Sequence, residues 1–260
     1  MILRSFLGLL LGMAFADAAF AQGWGNVKGQ VVWANPVAAA PVNLLAGVAP
    51  ANIPPCVKGG GLPSDELLID KNTKGVANAL IWIAAVEDAD PTEIHPKAIP
   101  VHPDLRAIPK DNVVIDQPCC LFTPRILMFR EGQVLEVRNS AVFNHSFAFS
   151  GHNEINASVN SNIPAGGKAT FTLKAQKKPI PISCAIHGWM KGELMVLNHP
   201  YFTTSKKDGT FEIKNAPAGK FLVFVFHESK GYLQEGNISK GQQIEIKAGG
   251  TLDLDTFDLK

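Results

Sequence analysis

Short apolar runs separated by turn residues make up most of the chain. Runs rich in Val, Ile and Phe alternate with clusters of Gly, Pro and Asn, and helical periodicity is nearly absent. Residues 134–139, Val-Leu-Glu-Val-Arg-Asn, alternate apolar and polar side chains with the period of two that a half-buried strand requires. The run 221–226, Phe-Leu-Val-Phe-Val-Phe, is a second strand and is apolar throughout. The pattern predicts an all-β protein.

The first segment, residues 1–21, has the pattern of a secretory signal peptide. Arg4 precedes an apolar stretch at 7–15, and Ala-Phe-Ala at 19–21 forms a small-x-small cleavage site. No later segment reaches the ~20 apolar residues of a membrane-spanning helix. We therefore expect a periplasmic or secreted protein with no membrane span after cleavage.

Composition divides the remainder into three predicted parts. Residues 22–110 combine two strands with long loops rich in Pro, Ala and Gly, and form an N-terminal β elaboration. Residues 111–198 contain closely spaced strands. Residues 199–260 predict a small antiparallel β-sandwich, in which Lys-Asp-Gly at 207–209 is a hairpin turn and 215–219 is a second turn.

Charge and motifs exclude several functions. The net charge is +1 and the basic residues do not cluster, so we expect no nucleic-acid partner. The chain has no Gly-x-Ser-x-Gly elbow, no His-Glu-x-x-His pair and no Gly-rich phosphate loop. We therefore expect a protein that is not an enzyme.

The segment 183–190, Ser-Cys-Ala-Ile-His-Gly-Trp-Met, carries the most distinctive chemistry. Cys184, His187 and Met190 stand at equal steps in a loop between two predicted strands. Thiolate, imidazole and thioether ligands together select copper over hard cations. A trigonal site of two His and one Cys with a weak axial Met needs a second His upstream, and His145 supplies it 39 residues before Cys184. His152 is the alternative upstream ligand.

These residues resemble the cupredoxin pattern. Asn139, His145 and the Cys-x-x-His-x-x-Met loop resemble cupredoxins over residues 111–198, and the short loop is similar to that of amicyanin. The resemblance implies a Greek-key β-sandwich that holds one type 1 copper and exchanges single electrons with a protein redox partner. It also implies the roles of the ligands: ring nitrogens of His145 and His187, the thiolate of Cys184 and an axial Met190.

The sequence departs from the cupredoxin pattern at two positions beside the ligands. Ser146 follows the first His, where cupredoxins commonly have Asn, and Gly188 follows the second His, where Pro is usual. A hydroxyl can still donate a hydrogen bond to the thiolate, but the surroundings of the metal are altered.

Four cysteines in an oxidising compartment should be paired, modified or bound to metal. With Cys184 assigned to metal, Cys56 is expected to pair with Cys119 or Cys120. The segment 116–124 resembles one in methylamine-utilisation-like exported proteins, whose Cys-x-aromatic-x-Pro register points to Cys120. That resemblance implies a Cys56–Cys120 disulfide and places Arg125 where the family has His.

The segment 199–228 resembles the carboxypeptidase regulatory-like, carbohydrate-binding-like β-sandwich. The Asp-Gly-x-Phe and Pro-x-Gly elements carry the resemblance, but they mainly encode turns. The resemblance implies contact with a glycan or a protein. Two further functions therefore stand beside electron transfer: a copper chaperone or store with the same ligands, and a non-redox binding module.

Overall fold

The computed structural model describes residues 23–36, 42–49, 52–55, 57, 61–233 and 240–260. The predicted signal peptide and Cys56 lie outside these residues. The described part contains sixteen strands and two short 3-10 turns, so the predicted all-β fold class is confirmed. Within it, no helix has the length and apolar character needed to cross a membrane.

The strands, in chain order, have the following bounds. The first eight are β1 Trp24–Trp33, β2 Leu80–Ala84, β3 Val113–Asp116, β4 Ile126–Arg130, β5 Val134–Arg138, β6 His145–Phe149, β7 Val159–Ile163 and β8 Lys168–Thr172. The last eight are β9 Ile180–Ser183, β10 Lys191–Leu197, β11 Phe202–Thr204, β12 Thr210–Pro217, β13 Gly219–His227, β14 Gly231–Tyr232, β15 Gln242–Ile246 and β16 Thr251–Leu259.

The strands form four sheets, grouped here into two modules. The central module comprises β3 to β10 and contains the sheets β4-β10-β9-β6-β7 and β3-β5-β8. The flanking module comprises the other strands and contains the sheets β12-β1-β16 and β11-β2-β13-β14, with β15 also paired to β13. Because β1 pairs with β12 and β16, and β2 pairs with β11 and β13, strands from 22–110 share sheets with strands from 199–260.

Strands with both faces buried hold the two modules together. Along β2, Ile81 and Ile83 belong to the core of the flanking module, whereas Trp82 belongs to a cluster shared with the central module. Along β10, Val196 packs into the central core and Leu197 into the shared cluster. The period of two sends alternate side chains to opposite faces, which is why these runs are apolar throughout.

The structure differs from the sequence-based prediction at two places. Strand β7 was not predicted, because Val-Asn-Ser-Asn-Ile carries three polar residues; it lies at the edge of its sheet beside β6, where polar side chains meet solvent. The predicted turn at 215–219 is partly strand, since β12 continues to Pro217 with Asn215 at a φ of 54°.

Arg125 joins three separate segments by ion pairs between the modules. Its Nε and Nη2 donate to the two carboxylate oxygens of Glu228 at 2.6 and 2.8 Å, and its Nη1 donates to Asp65 Oδ1 at 3.1 Å. The side chains of Arg125 and Glu228 are 5% and 8% exposed, so this bidentate pair is shielded from water.

Glu193 lies beside the same pair. Its N–H donates to the carbonyl of Arg125 at 3.1 Å, and its Oε2 is buried without a hydrogen-bond partner among the described residues. Burial, together with the nearby Glu228, raises the pKa of Glu193 to about 7. Burial also raises the pKa of Glu228, against the opposing effect of Arg125.

Replacing Arg125 by Met should destabilise the protein strongly, because the buried Glu228 carboxylate then loses its partner. We expect a loss of about 3–5 kcal/mol in the free energy of unfolding, measured by denaturant titration at neutral pH. The matched control is Arg138→Met, which removes an exposed partner of Glu136 and should cost less than about 1 kcal/mol. Equal, small losses in both variants would contradict a stabilising role for the pair.

Glu193→Gln should change how stability depends on pH. Because the pKa of Glu193 is raised to about 7 in the folded protein from a usual value of 4.5, its stabilising contribution is complete below pH 4.5 and is lost as pH rises through 7. The variant should therefore be more stable than the natural protein at pH 8 by on the order of 3 kcal/mol, with little difference at pH 4.5.

The measurement is thermal unfolding of the metal-free protein at pH 4.5, 6 and 8. The exposed Glu245→Gln on β15 is the control and should leave the pH profile unchanged. Some pH dependence should remain in Glu193→Gln, since the pKa of Glu228 is raised as well. A variant whose pH profile matches that of the natural protein would show that Glu193 is not the group responsible.

Candidate metal centre

The loop 184–190 is closed by backbone hydrogen bonds between its own residues. Met190 N donates to His187 O at 2.9 Å, and Cys184 N donates to Met190 O at 3.2 Å. The loop lies between β9 and β10, which pair as antiparallel neighbours from Ser183 and Lys191 onward. This closure holds the side chains of Cys184 and His187 at one end of the sheet.

His145 reaches the same end from strand β6, of which it is the first residue. The preceding corner is fixed by Asn139, which is 1% exposed. Its Nδ2 donates to the carbonyls of Phe143 and Ile163 at 2.9 Å each, and its Oδ1 accepts from Ala141 N at 3.1 Å. Asn139 therefore determines where β6 begins and so where His145 lies.

The structure brings one nitrogen from each histidine and one sulfur together. His145 Nδ1 and His187 Nδ1 are 3.0 Å apart, and each is 3.8 Å from Cys184 Sγ. A metal bound about 2.0–2.1 Å from nitrogen and about 2.3 Å from sulfur separates its ligand atoms by roughly these distances. The three residues are buried. Among the described residues they form the only group of three or more His, Cys, Asp or Glu side chains that could hold a metal ion.

Hydrogen bonds prepare Cys184 for the thiolate form. Burial alone raises the pKa of its thiol, but N–H groups and a hydroxyl directed at the sulfur outweigh burial, so the pKa is lowered. Ser146 contributes its backbone N–H at 3.3 Å and its Oγ at 3.7 Å. The predicted donation by Ser146 is therefore present, and Ala185 N fixes the hydroxyl by donating to it at 2.7 Å.

The surroundings also keep His145 neutral. Burial lowers the pKa of this imidazole, while the backbone carbonyl of Cys119 opposes the change. A neutral imidazole and a thiolate are the protonation states that bind metal, so the site needs little electrostatic rearrangement to accept an ion.

Met190 and His152 have different positions relative to this group. Met190 is fully buried and packs in the same core cluster as Cys184. His152 is exposed in the loop after β6, where its N–H donates to Gln176 Oε1 at 3.2 Å. His145 is the first residue of β6, and His152 follows the other end of that strand. His152 is therefore away from the three ligand atoms.

Two aromatic rings pack around His187, which is 9% exposed. The ring centroids of Phe143 and Trp189 lie 5.6 and 5.3 Å from that of His187. Val142 and Ile186, adjacent to these residues in sequence, are 83% and 51% exposed. We call Val142, Phe143, Ile186 and Trp189 the apolar rim. Phe143 is half-buried and packs on the two histidines.

The cysteines near the site require a correction. Cys119 is the disulfide-bonded residue, and Cys120 is a buried thiol whose pKa burial raises to about 11. The predicted Cys56–Cys120 disulfide is therefore wrong at Cys120. The two side chains differ in burial: Cys119 is partly exposed, whereas Cys120 is fully buried. The two sulfurs are 3.4 Å apart.

Gln117 is a residue near the site that sequence reasoning missed. It is fully buried, and its Nε2 donates to Ser146 O at 3.0 Å, directly beside the residue that contacts the Cys184 sulfur. A glutamine before Pro-Cys-Cys has no distinguishing spacing, so the sequence contained no signal for this contact.

The donor set favours copper. Two imidazoles and one thiolate in a trigonal arrangement are typical of copper sites, whereas structural zinc takes four ligands in a tetrahedron. Hard cations such as Ca²⁺ and Mg²⁺ prefer oxygen ligands, which this group lacks.

Comparisons with known proteins give similarities to cupredoxins among solved structures. A reduced amicyanin mutant is 16% identical, with 33% of this chain and 81% of that chain covered at a TM-score of 0.30. A purple cupredoxin from Nitrosopumilus maritimus is 15% identical, with 33% and 99% covered at a TM-score of 0.28. A Cu-containing nitrite reductase from Thermus scotoductus SA-01 is 20% identical, with 38% and 25% covered at a TM-score of 0.31.

No protein-family model matches the chain, and no curated protein matches it. The metal assignment therefore rests on the donor atoms of this chain: His145 Nδ1, His187 Nδ1 and Cys184 Sγ.

Cys184→Ser and His152→Ala should have opposite consequences for a copper-loaded protein. Removing the sulfur should abolish the intense visible absorption of a copper–thiolate bond, whereas removing the exposed imidazole should leave it unchanged. The measurement is an absorption spectrum after Cu(II) addition and removal of excess metal, with thermal unfolding of the metal-free variants as the folding control. Loss of the band in His152→Ala but not in Cys184→Ser would refute the ligand assignment.

Proposed function

We propose that this protein is an exported one-electron carrier with a mononuclear type 1 copper. Cys184, His145 and His187 would hold the copper, and Met190 would contribute its thioether as a weaker fourth ligand. The observation that carries the proposal is the buried group of two Nδ1 atoms and one Sγ atom separated by 3.0 to 3.8 Å. This is the ligand set of a blue-copper electron-transfer site.

The fixed positions of the ligands support electron transfer over metal delivery. His145 is part of β6, and the loop of Cys184 and His187 is closed by its own backbone hydrogen bonds. A site held in this way changes little when copper gains or loses an electron. A chaperone must release its metal, which favours exposed ligands on mobile segments, whereas these three residues are buried.

The apolar rim supports a protein redox partner. Val142 and Ile186 expose apolar surface beside His187, the one ligand that reaches the edge of the site. Apolar contact excludes water and brings a partner close to His187, while the small area permits rapid release. We propose that electrons enter or leave through this face.

The signal pattern of residues 1–21 supports periplasmic or secreted copper binding, and the chain acts as a carrier with no enzymatic step of its own. We propose that the C-terminal part, with its resemblance to a carboxypeptidase regulatory-like sandwich, serves as a structural or binding module for a glycan or protein.

Reversible copper chemistry is the decisive test. The exported protein should bind one Cu(II) with an intense visible band, lose the band on adding ascorbate, and regain it with ferricyanide through repeated cycles. It should also retain the metal against a chelator on the time scale of the cycles. Rapid loss of copper to the chelator would favour the chaperone or store, and a protein that binds no copper would favour the non-redox binding module.

Ile186→Lys should slow electron exchange between reduced and oxidised copies without changing the copper spectrum. Two copies that meet through the apolar rim would then bring like charges together, and a cost of about 1.4 kcal/mol slows exchange about tenfold. NMR line broadening in mixtures of the two redox states measures the rate. Ile108→Lys is the matched control, since Ile108 is 42% exposed and lies beside Gly132, in the turn between β4 and β5. Equal effects of the two variants would refute the proposed face.

A further inference from the structure

A cleft of about 500 Å³ lies between the two modules, at the end of the central module opposite the metal ligands. On the central side it is lined by residues that follow β6 and precede β9, including Gly151 and Pro179. His145 begins β6 and Cys184 follows β9, so the length of one strand, roughly 15 Å, separates the cleft from the metal ligands. The electron-transfer proposal makes no use of this cleft.

Apolar side chains from both modules form the floor. Trp82 of β2 and Phe224 of β13 stack with ring centroids 5.1 Å apart and planes inclined by 10°. Tyr232 packs against both rings, with centroids 6.2 and 5.8 Å from theirs, and Leu197 of β10 completes the surface. Of these side chains Tyr232 is the partly exposed one, and its ring can receive a flat apolar group by edge-to-face packing.

The two walls carry opposite charges. Asp88, Asp90 and Glu93 line the cleft from the segment that follows β2. His152, Lys177 and Lys178 line it from the central module. A ligand between the walls therefore meets carboxylates on one side and cationic or ionisable groups on the other.

Some of these charges are already used within the protein. Lys177 Nζ donates to the carbonyls of Asp88 and Asp90 at 3.3 and 3.1 Å, and lies 3.6 Å from Asp88 Oδ1. This lysine joins the two walls at one place. Glu93 Oε2 is paired with Lys97 Nζ at 2.8 Å.

Asp90 and Lys178 are left to meet a ligand. Asp90 Oδ1 accepts from the N–H and the hydroxyl of Thr92 at 2.9 and 2.7 Å, and these bonds hold the pKa of Asp90 below its usual value. Its second oxygen is available to a ligand's ammonium. Lys178 and His152 are exposed at the other wall and can donate to a carboxylate.

We propose that this cleft binds an aromatic α-amino acid as its zwitterion. The ring packs against Tyr232, which is half-buried above the Trp82 and Phe224 pair, the ammonium group binds Asp90, and the carboxylate binds Lys178 and His152. The volume lies within the range of about 300–1,000 Å³ that small-molecule sites occupy.

Burial of the floor argues against a sugar as the occupant. Trp82 and Phe224 are 1% and 5% exposed, so they line the bottom of a confined space rather than offering the broad open face on which a sugar ring stacks. A neutral saccharide also has no positive and negative groups to pair with the oppositely charged walls.

Calorimetric titration with a matched set of ligands tests the proposal. L-phenylalanine should bind, whereas 2-phenylethylamine and 3-phenylpropanoate, which each keep one charge, should bind at least about tenfold more weakly, because one wall charge then stays unpaired. Glycine, which lacks the ring, and glucose should give no detectable heat. Equal binding of phenylalanine and either single-charge analogue, binding of glucose instead, or no binding of phenylalanine would each overturn the proposal.

Variants locate the binding within the cleft. Asp90→Asn and Lys178→Gln should each weaken phenylalanine binding about tenfold, while Asp111→Asn and Lys174→Gln, exposed residues outside the cleft, should leave it unchanged. Ala84→Phe should abolish binding by filling the floor, provided that thermal unfolding shows a folded protein. If Ala84→Phe fails to fold, the two charge variants decide, and unchanged affinity in both would refute the site.

Discussion

Strand β10 is buried on both of its faces, and the metal loop, the central core and the module interface all depend on it. Val196 packs in the cluster that contains Cys184 and Met190, while Met195 packs in the cluster shared with β2 and β13. The strand begins directly after the ligand loop. A shift of its register by one residue would exchange these two faces, so the packing of two cores fixes the position at which the loop ends.

The chemistry of the metal centre follows from how its ligands are held. Backbone N–H groups and the Ser146 hydroxyl stabilise the Cys184 thiolate although the sulfur is 1% exposed. The carbonyl of Ser146 also accepts a hydrogen bond from Gln117, so the hydrogen bonds extend from the sulfur into the core. Outer contacts of this kind set ligand basicity and redox potential as much as the ligands themselves do.

The sequence predicted those elements of the protein whose pattern is contained within one short segment. The Cys-x-x-His-x-x-Met loop, the alternating strand β5 and the apolar strand β13 are each contained in a short segment with its own pattern. The pairing of β1 with β16 has no such signature, because it depends on strands more than 200 residues apart. The choice between Cys119 and Cys120 depends on which sulfur faces the core, which neighbouring residues in a sequence do not reveal.

The order of strands has a consequence for how the chain assembles. The central module is continuous in sequence, whereas each sheet of the flanking module combines strands from before and after it. The metal centre can therefore form from contacts close in sequence, while the flanking module must wait for partners at long separation, which makes its folding the slower event. Once formed, the central module joins β2 to β11, so it acts as a folded tether that brings the two halves of its neighbour within reach of each other.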